Sequence, residues 1–179
     1  MSHLAFVINN TNPEESVSRL RQLGFDLKIW RPSGLSIIPE YFPRKYLGYW
    51  LAHKIGYFPN KDYSAVIIKD NDNFVLKMLV VPKYFKWPFM GPNDLQVMYI
   101  TTNSKYRRLG VADIALSVAV NRLAANRRKF WAIIDENNIP SLNCFKKAGF
   151  VYAGKIVERS LLDVPLLKRL YLSEQDFHE

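Results

Sequence analysis

The segment "SKYRRLGVADIALSVAV", residues 104 to 120, constrains the fold more than any other stretch of the chain. In the helix it predicts, Val111, Ile114, Ala115, Val118, Ala119 and Leu123 cover most of the circumference, and Asp113, Ser117 and Asn121 form one polar stripe at i, i+4 and i+8. A helix this apolar has to pack against a sheet over much of its surface. The runs on either side, "LQVMYITT" before it and "FWAIID" after it, are rich in β-branched and aromatic residues and read as strands. Strand, buried helix and strand form a helix-on-sheet layer.

The remaining segments extend that layer. "HLAFVIN" reads as a first strand, and "NPEESVSRLRQLG" as a helix with Asn12 as N-cap, Pro13 at its first position and Gly24 as its stop. Residues 25 to 43 read as irregular, with extended pieces at Leu27–Trp30 and Leu35–Ile38, and a helix is predicted from Arg44 to Ile55. "YSAVIIK" and "NFVLKMLVV" flank the turn cluster "DNDN" and predict a hairpin. The long apolar helix is predicted to run to Asn126, "PSLNCFKKA" to form a short helix, and "FVYAGKIVE" and "LKRLYL" the last strands. The expected class is mixed α/β (α+β): one domain over residues 1 to 179, a central sheet of six or seven strands, and helices on both faces.

Charge narrows the partners. The 179 residues carry 25 Lys and Arg against 16 Asp and Glu, a net charge of +9, which favours anionic ligands. Lys105, Arg107 and Arg108 form one basic cluster; Arg127, Arg128 and Lys129 form another where the long helix should end and cations complement its dipole. A lone cysteine, Cys144, and three scattered histidines predict neither a disulfide framework nor a metal site. The opening "MSHLAFVINN" lacks the basic and long apolar regions of a signal peptide, and no run is apolar enough to span a membrane. The expected location is the cytoplasm.

The start of the long helix has no conventional cap. Gly110 and Ala112 let a ligand approach the backbone, Arg107 and Arg108 stand beside it, and free N–H groups meet the positive end of the dipole. That combination suits an anion, phosphate above all. Neither G-x-x-x-x-G-K-[ST] nor a strand-borne G-x-G-x-x-G occurs.

The run Arg107-Arg108-Leu109-Gly110-Val111-Ala112 matches [RQ]-x-x-G-x-[GA], and the chain thereby resembles the GCN5-related N-acetyltransferase (GNAT) superfamily. A second match follows in "ENNIPSLNCFKKAGF", where Asn138, Ser141, Phe145, Gly149 and Phe150 fit N-x-x-[AS]-x-x-x-[YF]-x-x-x-G-F one helix and one strand later. The resemblance implies a largely antiparallel, twisted sheet, splayed between its fourth and fifth strands, with acetyl-CoA as acyl donor and no metal. It assigns residues 95 to 156 to acetyl-CoA binding, 1 to 94 mainly to the acceptor, and 157 to 179 to a last strand and tail. Backbone groups near Ile100 and Thr102 would bond the pantetheine arm. Arg107, Arg108 and the amides of Leu109, Gly110, Val111, Ala112 and Asp113 would hold the pyrophosphate. Asn138, Ser141 and Phe145 would line the arm's other side, and Lys146 or Lys147 would approach the adenosine 3′-phosphate.

The implied chemistry is direct transfer to a primary amine in a ternary complex, with a strand N–H stabilising the oxyanion. Phe145 stands where many relatives carry a tyrosine that protonates the thiolate, so Tyr99, Tyr152 or water would have to replace it. Candidate general bases are Glu136 and Asp94, each with a solvating or capping role as the alternative.

Aromatic residues crowd the stretch from Trp30 to Phe58 and return in "YFKWPFMGPND". Rings beside basic side chains suit a small, anionic or sugar-like amine acceptor, such as a nucleotide-linked amino sugar. A peptide or protein amine is the alternative, as is a non-catalytic relative that binds CoA or nucleic acid; the nucleic-acid role is the less favoured. The chain is expected to be a monomer or homodimer.

Overall fold

The computed structural model describes residues 2–8, 14–34, 36–125, 127–160 and 168–173. Eight strands form one sheet in the order β2-β3-β4-β5-β6-β1-β7-β8. In chain order these are β1 (His3–Ile8), α1 (Glu14–Gln22), β2 (Asp26–Trp30), α2 (Leu47–Lys54), β3 (Ser64–Asp70), β4 (Asn73–Pro82), β5 (Leu95–Thr102), α3 (Val111–Arg122), β6 (Phe130–Asp135), α4 (Ile139–Lys147), β7 (Val151–Ser160) and β8 (Lys168–Leu172). Every neighbouring pair is antiparallel except β5 and β6.

Two cores lie on opposite faces, as the alternation of side chains across a sheet requires. One face carries Val66, Ile68, Leu76, Met78, Leu95, Val97 and Phe130 against α3 and α4, with Leu20 of α1 in the same cluster. In α3, Ala115, Leu116, Val118, Ala119 and Val120 have no exposed surface. The other face holds the aromatic cluster: Trp30, Phe42, Tyr46, Phe58, Tyr63, Trp87 and Trp131 pack on Ala65, Ile67, Leu79 and Val81.

Several expectations need revision. The sheet has eight strands, one more than seven, because Asp26–Trp30 pairs along its length with β3; "LKRLYL" closes the sheet against β7 as expected. The splay falls, as expected, between the fourth and fifth strands across the sheet, β5 and β6, which are "LQVMYITT" and "FWAIID". The described part of Leu35–Ile38 forms no strand, and the helical cap at Asn12 and Pro13 lies outside the described residues. Helix α3 stops at Arg122 rather than near Asn126. Arg128 folds back under its end, donating to the Leu123 carbonyl and to Asn93 O (2.9 Å) while pairing with Asp62.

The amino-terminal strand is central in the sheet. β1 lies between β6 and β7, with Phe6 opposite Ala132 and Tyr152, and α1 packs against α3. Residues 3–8 and 14–22 thus pack beside the strands and helices of the segment 95 to 156.

Candidate active site

The turn before α3 is held from behind. Asn103 Oδ1 accepts from Lys105 N, its Nδ2 donates to Phe74 O, and its backbone N–H donates to Val75 O. Tyr106 donates from its hydroxyl to Asp70 Oδ2 at 2.7 Å and meets Phe25 edge-on. So anchored, the chain passes through Arg108 at φ 67° and Gly110 at φ 71°, both left-handed. For arginine that conformation costs on the order of 1–2 kcal/mol.

Gly110 is the N-cap of α3, and no side chain caps the helix. The N–H groups of its first turn have no carbonyl four residues back to bond. A Cβ at Gly110 would sit 3.2 Å from Asp113 Oδ1 and 3.4 Å from Arg19 Nη2. Arg19 of α1 therefore joins Arg107 and Arg108 at the turn.

In front of the turn lies a groove of about 710 Å³. Ile100, Thr102, Arg107, Arg108, Gly110, Val111, Ala112 and Asp113 line one wall; Pro140, Ser141, Asn143, Cys144, Phe145 and Lys147 of α4 line the other. Lys147 Nζ pairs with Asp113 Oδ2 at 3.2 Å across the groove. Burial, with the Asp113 carboxylate nearby, pushes the Cys144 thiol up to about 11, so it stays protonated and a poor nucleophile near neutrality.

The groove leads into a fork. β5 and β6 pair only at Leu95–Phe130 and Gln96–Trp131, then separate. β5 bulges there: Leu79 faces Met98 and Lys77 faces Thr101, so Met78 alone opposes Tyr99 and Ile100. Tyr99 takes φ 54° to make the bulge. The extra residue bends β5 away from β6 and leaves strand edge open inside the fork. The bulge also splits two consecutive side chains, Ile100 into the groove and Tyr99 into a second cavity.

That second cavity, of about 500 Å³, is an aromatic cup. Tyr46, Tyr49, Tyr57, Tyr84 and Tyr99 line it with Phe58 and Phe85, Lys45 stands at its margin, and no carboxylate is among its lining residues. Tyr46 and Tyr99 meet edge-on at 4.7 Å. The Tyr49 hydroxyl shares hydrogen bonds with Tyr84 and Tyr99, and burial followed by these neighbours raises its pKa far above that of a free phenol.

A family model for the Acetyltransferase (GNAT) family matches residues 30–150. The chain belongs to the GNAT acetyltransferase family. Its members transfer acetyl groups from acetyl-CoA. The fold is similar to that of AAC(6')-Iy in complex with the bisubstrate analogue CoA-S-monomethyl-acetylneamine (TM-score 0.52, 14% identity, 76% of this chain and 98% of that one). It is also similar to a GCN5-related N-acetyltransferase from Sphaerobacter thermophilus (TM-score 0.50, 14% identity, 86% and 49%) and to a GNAT-family protein from Novosphingobium aromaticivorans (TM-score 0.51, 11% identity, 86% and 60%). This chain thus spans about half to three-fifths of the length of the last two. No curated protein matches it in sequence.

Within this GNAT domain most of the residues named from sequence for the donor line one groove, and three do not. The Leu109 side chain is exposed and turned out. Asn138 caps α4, accepting from Ser141 N through Oδ1, and does not line the groove. Lys146 is exposed outside it.

The catalytic candidates scatter. Asp94 lines neither groove nor cup: it is 5% exposed, and its carboxylate accepts from the Gly91 N–H (2.8 Å), the Lys129 N–H (3.0 Å) and Trp131 Nε1 (2.9 Å). With those donors fixed on it, it ties the loop before β5 to the start of β6. Glu136 is exposed at the end of β6 and lines neither groove nor cup. Tyr152 packs edge-on against Phe6 at 5.9 Å and also lies outside both. Of the four, only Tyr99 stands at the fork. Arg19 escaped notice in the sequence because it belongs to a helix some ninety residues before the turn, and only the packing of α1 on α3 brings it there.

No helix among the described residues is long and apolar enough to cross a membrane, and no cluster of metal-ligating side chains occurs among them.

Proposed function

We propose that this GNAT protein transfers the acetyl group of acetyl-CoA to the primary amine of a small, sugar-like acceptor, such as a nucleotide-linked amino sugar. It does so directly, in a ternary complex. The observation that carries this reading is the β5 bulge, which sends Ile100 into the groove with the anion turn and Tyr99 into the aromatic cup. Donor and acceptor then meet across two adjacent residues.

On the donor side, Arg107, Arg108, Arg19 and the α3 N-terminus take the pyrophosphate. The open edge of β5 bonds the pantetheine amides as an added strand would, and the other wall is α4, through Ser141, Phe145 and Lys147. The amine nitrogen attacks the thioester carbon, the C–N bond forms, the C–S bond breaks, and the proton shed by nitrogen ends on the CoA thiol. An N–H of the β5 edge stabilises the oxyanion between. A protonated Cys144 supports attack by the amine itself rather than through an acyl-cysteine.

On the acceptor side, tyrosine rings stack on the apolar faces of a sugar or base, their hydroxyls bond its polar rim, and Lys45 attracts an anionic substituent. A cup without carboxylates disfavours polyamines, which need an acidic groove. We place the reaction in the cytoplasm, with the protein a monomer or homodimer. Acetylation of a peptide amine is the second reading, favoured by Leu47, Leu51 and Ile55, which expose an apolar edge of α2 beside the cup.

The test is thiol release from acetyl-CoA with a panel of nucleotide amino sugars, peptides and polyamines. Release with an amino sugar is expected. Release only with peptides would replace the acceptor class, and no release with any amine would overturn the transferase reading.

A further inference from the structure

Helix α2 packs on the aromatic core through Tyr46 at its start and through Tyr49, Trp50 and Ala52. Leu47, Leu51 and Ile55 follow one another at i, i+4 and i+8 and so share a different face. That face is open: Leu51 is 53% and Ile55 70% exposed. None of the three lines the cup, which takes Gly48 and Ala52 from this helix instead. Just past the helix, the Tyr57 N–H donates to Ala52 O at 2.9 Å, which keeps that ring against the helix end. Tyr57 and Phe85 are also exposed, with ring centroids 6.5 Å apart, and both line the cup. The apolar stripe thus runs up to the mouth of the cup. Soluble monomers seldom leave such a contiguous patch without a use for it.

Charge around the patch has one sign. Residues 41 to 61 carry Arg44, Lys45, Lys54 and Lys61, all exposed, and no Asp or Glu. Residues 83 to 93, the loop that holds Phe85, carry Lys83 and Lys86 and again no carboxylate. The acids that bound the first segment are engaged elsewhere, Glu40 with Lys28 and Lys69, and Asp62 with Arg128. Lys45 and Lys54 lie over the rings of Tyr46 and Trp50, with Nζ 5.3 and 5.9 Å from the ring centroids.

We infer that this face of α2, with Tyr57 and Phe85, docks the protein on an anionic bilayer surface and sets the mouth of the cup at the level of the headgroups. Such a surface offers both things the patch lacks, negative charge and hydrocarbon. Leu51, Ile55, Tyr57 and Phe85 enter between the headgroups while Arg44 and Lys54 stay among the phosphates. Nucleic acid would meet the cations and leave the aliphatic side chains in water. A second copy packed face to face about a two-fold axis would set the same four cations against one another. The inference concerns where the protein sits and holds whichever amine the cup takes.

The test is flotation of the intact protein with vesicles of phosphatidylcholine alone and of phosphatidylcholine mixed with phosphatidylglycerol. Binding to the anionic vesicles is expected, weakening as salt is raised, with the neutral vesicles bound at least tenfold less tightly. Leu51→Asp, at an exposed position, should weaken anionic-vesicle binding at least tenfold, and Arg44→Gln and Lys54→Gln by about fivefold each. A control that removes two exposed cations on the α3 and α4 side, Lys105→Gln with Lys146→Gln, should change it by no more than about twofold. All variants should keep the Tm of the unaltered protein. No binding to either vesicle, equal binding to both, undiminished binding in Leu51→Asp, or a loss in the control pair equal to that of Arg44→Gln with Lys54→Gln would each overturn the inference. So would a solution dimer that Leu51→Asp dissociates, which gives the face to a second copy, or binding of a polyglutamate peptide in place of the vesicles, which gives it to an acidic protein. The thiol-release panel uses soluble amines and therefore succeeds or fails separately.

Discussion

The donor groove and the acceptor face sit on one forked strand, and they are built on opposite plans. The groove depends on backbone: a left-handed Arg108, a left-handed Gly110, uncapped helical N–H groups and an unpaired strand edge. Its side chains supply mainly charge. The cup depends on side chains: five tyrosines, two phenylalanines and a lysine drawn from α2, the loops on either side of the β3–β4 hairpin, and β5. Backbone geometry of the first kind tolerates few residue types, so it leaves a short local signature in sequence. A surface of the second kind can be assembled from many sequences, and its specificity lies in how separate segments meet.

The contrast predicts where substitutions act. Gly110→Glu should have the largest effect, since it places a side chain at φ 71° against Asp113 Oδ1 and sets a negative charge in the anion turn. Acetyl-CoA affinity by calorimetry should fall by about a hundredfold or more, two charge-assisted contacts at about 1.4 kcal/mol per tenfold. An unchanged affinity would remove the groove from the comparison altogether. Asp94→Asn comes next and tests stability rather than chemistry. It sets an amide against three N–H donors and should cost about 1–3 kcal/mol in denaturant unfolding, with the pH profile of kcat retaining its shape. A lost titration limb would restore Asp94 as a base.

Tyr49→Phe sharpens the contrast from the other side. Removing the hydroxyl that bonds Tyr84 and Tyr99 should raise the acceptor KM by roughly threefold to tenfold, the worth of one hydrogen bond, and leave acetyl-CoA affinity unchanged. Equal losses for both substrates would mean that groove and cup are not separate. The smallest effect is expected for Phe145→Tyr. Phe145 is buried in the groove wall, edge-on to Phe150 at 4.9 Å. Because the CoA thiolate leaves readily, a new acid should change kcat by no more than about twofold. A larger rise would show that thiolate protonation limits the rate.

Legibility in the sequence followed the same division. The Arg107–Ala112 and Asn138–Phe150 spacings located the groove because each position answers a local demand: a left-handed turn, a small residue at a helix start, a cap, a helix stop. The β-rich runs "YSAVIIK" and "NFVLKMLVV" on either side of the turn cluster "DNDN" located the hairpin for the same reason. What escaped was non-local. Nothing in "HLAFVIN" says that it inserts between β6 and β7, and so nothing tied Arg19 to a turn ninety residues later. The bulge at Tyr99 is invisible because a tyrosine at positive φ breaks the local preference. Asp94 misled because a carboxylate at the start of a strand looks the same whether it serves a substrate or three N–H donors from its own loop and the neighbouring strand.

Hydrogen exchange with and without acetyl-CoA tests the central claim most directly, because the claim concerns backbone N–H groups. The account predicts slowed exchange in peptides covering residues 98–102 and 107–113, with the α2 segment 47–54 unchanged. Stabilisation by acetyl-CoA with no protection at 107–113, or with protection confined to the cup, would contradict it.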